Sequence, residues 1–218
     1  MTKTRVPETN TGIQGEFTVA LYDQMQRNLR DKGWIETEGL LKSGITGGHA
    51  LEIGYGPGYL GLEWLNRCPG ARLTGLDISP DMQTLAQNNA LEYGLAGRAE
   101  YRLGRGDQLP FDDDSFDAVF TNGSLHEWEH PVETFNEIWR VLKRGGRYFI
   151  SDLRRDINLF IYLFLQAGTR PVTMRSGLRS SVNAAYTPRE FKELALQSSL
   201  SEGQIQADLF GLSLSGIK

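Results

Sequence analysis

Residues 50–61 read Ala-Leu-Glu-Ile-Gly-Tyr-Gly-Pro-Gly-Tyr-Leu-Gly and constrain the fold more than any other stretch. A short apolar run carries one acid, Glu52, and meets three glycines at alternate positions, Gly54, Gly56 and Gly58. Without a Cβ, the chain can turn sharply there and a ligand can lie against bare backbone. A helical pattern begins at Tyr59. Strand, glycine turn and helix in immediate succession form the nucleotide-binding unit of α/β proteins.

The rest of the chain agrees with one α/β domain. Strand patterns fall at 49–54, 72–77, 99–103, 116–122 and 147–152, with helical patterns between them at 59–66, 80–93 and 131–142. Ser79 is placed to cap the second of these helices, with Pro80 at its first position. Gly145-Gly146 is placed to close the third. Regular alternation implies a mostly parallel sheet covered on both faces, with ligands beyond the carboxyl ends of the strands. Thr187, Pro188 and Glu190 have the spacing of a capping box on a further helix. Two strands end the chain, near 204–209 and 212–217.

Four segments follow. Residues 1–42 form an N-terminal tail and helical lid, with 1–12 loosely attached and Phe17, Leu21, Met25 and Leu29 at helical spacing. Residues 43–152 are the ligand-binding core. Residues 153–186 break the alternation and read as a cap. Residues 187–218 complete the sheet.

Charge is unevenly spread. Over 1–139 the net charge is −10, over 140–192 it is +8, and the whole chain carries −4. A negative chain without a basic tail argues against a nucleic-acid partner. The single cysteine, Cys68, excludes an intrachain disulfide and fits a reducing, cytoplasmic setting. Residues 1–16 are polar and show no secretory pattern. The longest apolar run, 157–165, is too short to span a bilayer.

The glycine turn alone leaves its ligand open, because Gly56, Gly58 and Gly61 also satisfy the dinucleotide fingerprint. Asp77 ends the second strand, where a carboxylate can accept both hydrogen bonds of a ribose diol. That feature is shared by nicotinamide-binding proteins. Glu52 is different: a dinucleotide fold has little use for an acid there, whereas an ammonium group would need one.

Further stretches carry a resemblance: Leu51 to Gly58, Leu76-Asp77-Ile78-Ser79, Leu109-Pro110-Phe111 with Ser115-Phe116-Asp117, Asn122 to His126, and Glu137 to Gly146. Over about 48–152 the chain resembles the class I S-adenosylmethionine-dependent methyltransferases, nearest the small-molecule subgroup of ubiquinone and menaquinone C-methyltransferases. The resemblance implies a Rossmann-like, doubly wound sheet of seven strands with the last antiparallel. It implies S-adenosyl-L-methionine as cofactor and S-adenosyl-L-homocysteine as product. Gly54, Tyr55, Gly56 and Gly58 would then pass the methionine moiety, Glu52 its amino group, Asp77 the ribose, and Ile78 and Met82 the adenine. Tyr22 belongs to the lid, and Asn122 and Gly123 lie beside the cofactor. Relatives carry Gly-Asp after the third strand. An ungapped match puts Arg105 at the aspartate, but a guanidinium cannot accept from an adenine amine, so Gly106 and Asp107 are the expected pair.

The acceptor belongs after the fourth strand, at 122–130. His126 is the candidate general base, because histidine titrates near neutrality, and Trp128 lies beside it. Arg154 and Arg175, in the basic cap, would suit an anionic small-molecule acceptor. The aromatics Phe160, Tyr162 and Phe164 would hold its apolar body, pack the cap or join a homodimer. His126, Glu127 and His130 have no further ligands at metal spacing, so no metal is expected. Two other functions fit the same turn: a non-catalytic binder of the cofactor or its product, and an NAD(P)-dependent oxidoreductase.

Overall fold

The computed structural model describes residues 4–8 and 14–218. Its centre is a seven-stranded sheet in the order β3-β2-β1-β4-β5-β7-β6. The strands are β1 (His49–Ile53), β2 (Arg72–Asp77), β3 (Ala99–Leu103), β4 (Phe116–Asn122), β5 (Leu142–Leu153), β6 (Gln204–Ala207) and β7 (Gly211–Ile217). Strands β1 to β5 pair in parallel, and β7 runs antiparallel between β5 and β6. This is the expected class and strand count.

The helices are α1 (Glu16–Asp31), α2 (Thr37–Lys42), α3 (Tyr59–Arg67), α4 (Pro80–Glu92), α5 (Pro131–Val141), α6 (Leu159–Gly168), α7 (Arg175–Ala184) and α8 (Pro188–Leu196). One core gathers α3 and α4 against one sheet face, around Trp64, Leu65, Leu73 and Phe120. The Trp64 indole donates to the Ile45 carbonyl at 2.9 Å, so the largest core side chain leaves no orphan donor. The other core sets α5 and α8 on the opposite face, around Phe135, Ile138, Phe191, Ile150 and Leu214. Central strand β1 is buried from Ala50 to Ile53 on both faces, as parallel strands require.

Local chemistry predicts the caps correctly. Ser79 Oγ accepts from the Met82 amide at 3.3 Å. Thr187 and Glu190 form the reciprocal capping box. The tandem glycines behave differently. Helix α5 ends at Val141, and β5 begins at once with Leu142. Gly145 and Gly146 lie inside β5, where the register jumps from Phe116↔Leu142 to Ala118↔Arg147. Gly145 sits at φ 78°. Its amide donates to the Lys218 carbonyl at 2.8 Å, and the Lys218 amide donates to Gly146 at 2.9 Å. The glycines absorb an irregularity and hold the end of the chain.

The N-terminal tail also departs from expectation. Residues 4–8 are docked rather than loose. The Val6 amide donates to Asn183 at 3.1 Å. The Arg5 guanidinium lies 4.2 Å from the Tyr186 ring centroid and donates to the His126 carbonyl at 2.9 Å. The remainder of the segment expected to be loose lies outside the described residues.

Candidate active site

A cleft of about 1580 Å³ runs from the carboxyl ends of β1, β2 and β4 along β7 as far as Ile217 and Arg147. One small-molecule site takes roughly 300–1,000 Å³, so this cleft can hold a cofactor and an acceptor together.

The glycine turn forms its floor. Gly54, Gly56 and Gly58 have φ of 69°, 51° and 84°, a region that costs other residues free energy. Space matters as well as torsion. A Cβ on Gly54 would lie 2.6 Å from Ser124 Cβ, and one on Gly58 would lie 2.7 Å from the Tyr101 hydroxyl. Asp77 braces the turn: its Oδ2 accepts from the Gly56 amide and its Oδ1 from the Ser79 amide, each at 3.0 Å. Burial raises the Asp77 pKa, and these amides oppose the rise.

Glu52 is buried beside the turn, and its Oε2 has no hydrogen-bond partner. Burial, then repulsion from Asp77, pushes its pKa up to about 8, against the Gly61 amide. The Oε2 atom lies against Gly61 of α3, while the residue itself lines the cleft, so a cationic ligand group there would favour the ionised carboxyl. Ile78 exposes 40% of its surface inside the cleft, a flat apolar seat. Met82 lines the same wall from the first turn of α4.

Tyr22 covers the turn from α1; its ring would meet a Cβ on Gly56 at 3.5 Å. Only Val19 of α1 is buried. Met25 and Leu29 instead face the cleft, and Phe17 is exposed. Polar bonds hold α1 to the body. The Tyr59 hydroxyl donates to Asp23 at 2.7 Å, and Arg27 donates to Asn89 at 3.1 Å.

Gly106 and Asp107 line the cleft after β3. Both Asp107 oxygens accept from Arg105, at 3.0 and 2.8 Å, and this pairing holds the carboxyl below its usual range. Asn122 and Gly123 end β4 at the cleft wall; Asn122 Oδ1 accepts from the Ser151 hydroxyl at 2.9 Å.

His126 lies buried in the 3-10 turn Leu125–Glu127. Its Nδ1 meets Asp152 Oδ1 at 2.8 Å, and its own amide donates to Asp152 Oδ2 at 2.7 Å. Its Nε2 lies 3.3 Å from Glu8 Oε2 and 3.9 Å from Glu127 Oε1. Burial opposes the charged ring. The Asp152 carboxylate and its hydrogen bond, with Glu8 and Glu127, override that and push the pKa up to about 10. At neutral pH the ring is therefore an imidazolium that donates from both nitrogens. Glu127 faces the cleft, and its pKa is raised to about 7 by burial first, with Glu8, Asp152 and Asp77 adding to the rise against His126.

Sequence reasoning singled out His126 but missed Asp152, Glu8 and the titration of Glu127. The available signal for Asp152 was its place at the end of β5, which lies next to β4 in the sheet. Glu8 gave no signal. Ligand atoms of Glu8, His126 and Glu127 lie within 4.8 Å of one another. A cation there would have to displace a proton held up to about 10. His130 lies apart from them, exposed, 3.9 Å from Glu129.

Trp128 lines the cleft and packs its edge toward Phe135, with centroids 6.1 Å apart. The two arginines expected at an anionic acceptor are not among the cleft-lining residues. Arg154 donates to both oxygens of Asp156 and to the Asp208 carbonyl. Arg175 lies at the start of α7. Of the three aromatics, Phe160 is exposed, Phe164 meets the Trp34 and Phe210 rings, and Tyr162 is half-buried with its hydroxyl accepting from Gln166.

Comparison with known proteins gives the same direction. Residues 51–150 match the methyltransferase domain family. The chain is 34% identical over 115 residues to the biotin biosynthesis bifunctional protein BioHC of Teredinibacter turnerae, covering 50% of this chain and 20% of that protein. It is 27% identical over 216 residues to the ubiquinone/menaquinone biosynthesis C-methyltransferase of Geotalea daltonii, covering 95% and 90%. The fold matches a crystal structure of an S-adenosylmethionine-dependent methyltransferase from Aquifex aeolicus with TM-score 0.63 and 15% identity, over 83% and 88% of the two chains. Residues 51–150, just under half of the chain, thus match the methyltransferase domain family, and the fold is shared with a methyltransferase of known structure.

Proposed function

We propose that the protein transfers a methyl group from S-adenosylmethionine to a small-molecule acceptor. The buried Glu52 carboxyl, which lines the cleft beside the glycine turn with its pKa pushed up to about 8, carries this reading, since a ligand ammonium would favour its ionised form. The other cleft residues fit the same cofactor. Gly54, Tyr55, Gly56 and Gly58 offer bare backbone to the methionine moiety, Asp77 retains acceptor capacity for a ribose, and Ile78 and Met82 seat an adenine. Asp107 keeps lone pairs for the adenine edge while Arg105 fixes its direction. Tyr22, Asn122 and Gly123 close the remaining sides. When bound, the cofactor supplies a methyl group already activated on a sulfonium, so positioning can provide most of the rate.

The role given to His126 changes with its charge. An imidazolium cannot take a proton. We assign His126 to positioning: it fixes Glu127 and the N-terminal segment through Glu8 and Asp152. Glu127 is the group that takes a proton from the acceptor, where one must leave, because it titrates near neutrality and faces the cleft. Trp128 would bound the acceptor. The acids around His126 argue against an anionic acceptor at this end of the cleft.

Thermal shifts measured with S-adenosylhomocysteine and with NAD(H) test the cofactor. A shift with NAD(H) alone overturns the reading in favour of an oxidoreductase. Transfer of labelled methyl from the cofactor into a metabolite extract separates an enzyme from a binder; binding without transfer leaves the non-catalytic reading.

A further inference from the structure

Helix α6 begins Leu-Phe-Ile-Tyr-Leu-Phe-Leu, with no charge in any of its turns, yet it buries none of its residues. A helix apolar on every side belongs in a core, in lipid or against a partner. Here Phe160 is 83% exposed, Leu159 67% and Leu163 53%. The patch extends beyond the helix. The Phe164 ring lies 5.9 Å from Trp34 and 5.8 Å from Phe210, both also exposed.

Cations flank this patch. Lys32 Nζ stands 4.8 Å from the Trp34 ring centroid. Arg170 follows the helix directly. The Arg175 carbonyl accepts from Gln166 of α6 at 3.1 Å, and Arg179 lies one turn further along α7. None of these three arginines has an ion-pair partner among the described residues. The only acid within 153–186 is Asp156, and both its oxygens are taken by Arg154. Nearby Asp208 accepts from the Phe210 and Gly211 amides. The patch is therefore apolar at its centre and positive along its α6–α7 edge, while Glu36 and Asp208, close enough to raise the Glu36 pKa, stand on its Trp34–Phe210 side.

That combination selects the occupant. A two-fold contact between copies would set the patch against itself, and near the axis the arginines of the α6–α7 edge would meet one another. A bilayer rich in anionic lipid complements both parts, with acyl chains for the centre and phosphates for the edge. We propose that α6 and its flanks seat this protein on an anionic membrane surface. Leu159, Phe160 and Leu163 enter the headgroup–acyl boundary, and Lys32, Arg170 and Arg179 meet the phosphates. The helix lies in the interface plane, since it is too short to cross. Phe164 and Leu165 also line the cleft, so the seated face adjoins the cleft rim.

Sedimentation of the full chain with vesicles tests this. One set is pure phosphatidylcholine and the other contains phosphatidylglycerol. The expected result is binding to the anionic vesicles, at least tenfold weaker binding to the neutral ones, and loss of binding at high salt. Phe160→Ser should lower partitioning about tenfold, and Arg179→Ala about fivefold. Both variants should keep the wild-type melting temperature, because neither side chain is buried. Failure to bind anionic vesicles at low salt overturns the proposal. So does binding that Phe160→Ser leaves unchanged. A concentration-dependent dimer in sedimentation velocity, abolished by Phe160→Ser and without vesicle binding, assigns the patch to a second copy instead.

Discussion

Asp152 holds His126 from two sides: one carboxylate oxygen meets the ring Nδ1 at 2.8 Å, and the other accepts the backbone amide at 2.7 Å. The carboxylate comes from β5, and the imidazole from the turn after β4. Their union keeps a buried histidine charged. Glu8 closes the far side of the ring, so a segment from the start of the chain becomes part of the cleft wall.

The pairing makes stability depend on pH in a defined direction. His126 has its folded pKa at about 10, above the ordinary 6.5. Its contribution is therefore fully present below pH 6.5 and is lost as pH rises through about 10. Asp152→Asn should destabilise the protein at pH 6, by less than the ~3–5 kcal/mol of a fully unpaired buried charge, because Glu8 still faces the ring. Thermal melts should show the gap between variant and wild type shrinking toward pH 10. A gap that stays constant would mean that the ring is neutral.

Glu127 carries the activity prediction. With its pKa raised to about 7, kcat should rise with pH through that value as the carboxylate forms. Glu127→Gln should lower kcat about 10²-fold or more for an acceptor that loses a proton. The thermal shift with S-adenosylhomocysteine should survive. If His126→Gln abolishes the pH dependence and Glu127→Gln does not, the roles are reversed.

Cofactor binding should release a proton. Glu52 is largely neutral at pH 7, with its pKa pushed up to about 8. A ligand ammonium beside it favours the ionised form. Affinity for S-adenosylhomocysteine should therefore strengthen as pH rises from 6 toward 8. Calorimetry in buffers of different ionisation heat should register the released proton in wild type and a smaller release in Glu52→Gln. Equal release from both would remove Glu52 from the ligand.

Gly54→Ala tests the turn itself. The new methyl would meet Ser124 at 2.6 Å from a backbone with φ 69°. The left-handed conformation alone costs about 1–2 kcal/mol, and the clash adds to it. The melting temperature should fall and the S-adenosylhomocysteine shift should disappear. Gly70→Ala also has positive φ but no neighbour within 4 Å. It should destabilise less and leave the ligand shift intact.

The sheet was legible in sequence because its signals are local. Strands β1, β2 and β4 are short, largely apolar runs that each lead into a helix, while β3 is half polar and passes to β4 without one; each cap is written within four residues, as at Ser79 and Thr187. Gly145-Gly146 misled because tandem glycines serve a helix stop and a strand irregularity equally well. The glycine turn, Glu52, Asp77 and Ile78 were readable as one group because β1 and β2 are sequential and adjacent. Arg154 and Arg175 looked like acceptor ligands from composition and position alone. Only the folded chain gives Arg154 to Asp156 and puts both arginines outside the cleft lining.

By itself, then, the sequence determined the doubly wound sheet and the glycine turn, since backbone torsion and hydrophobic period are properties of neighbouring residues. Tertiary structure decided the charge of His126, the poise of Glu127 and the exposure of α6. Arg5 reaches the carbonyl of His126 across 121 positions, and Asp152 reaches its ring across 26. A pKa depends on burial and on the charges within a few ångströms, and neither is fixed until distant segments meet.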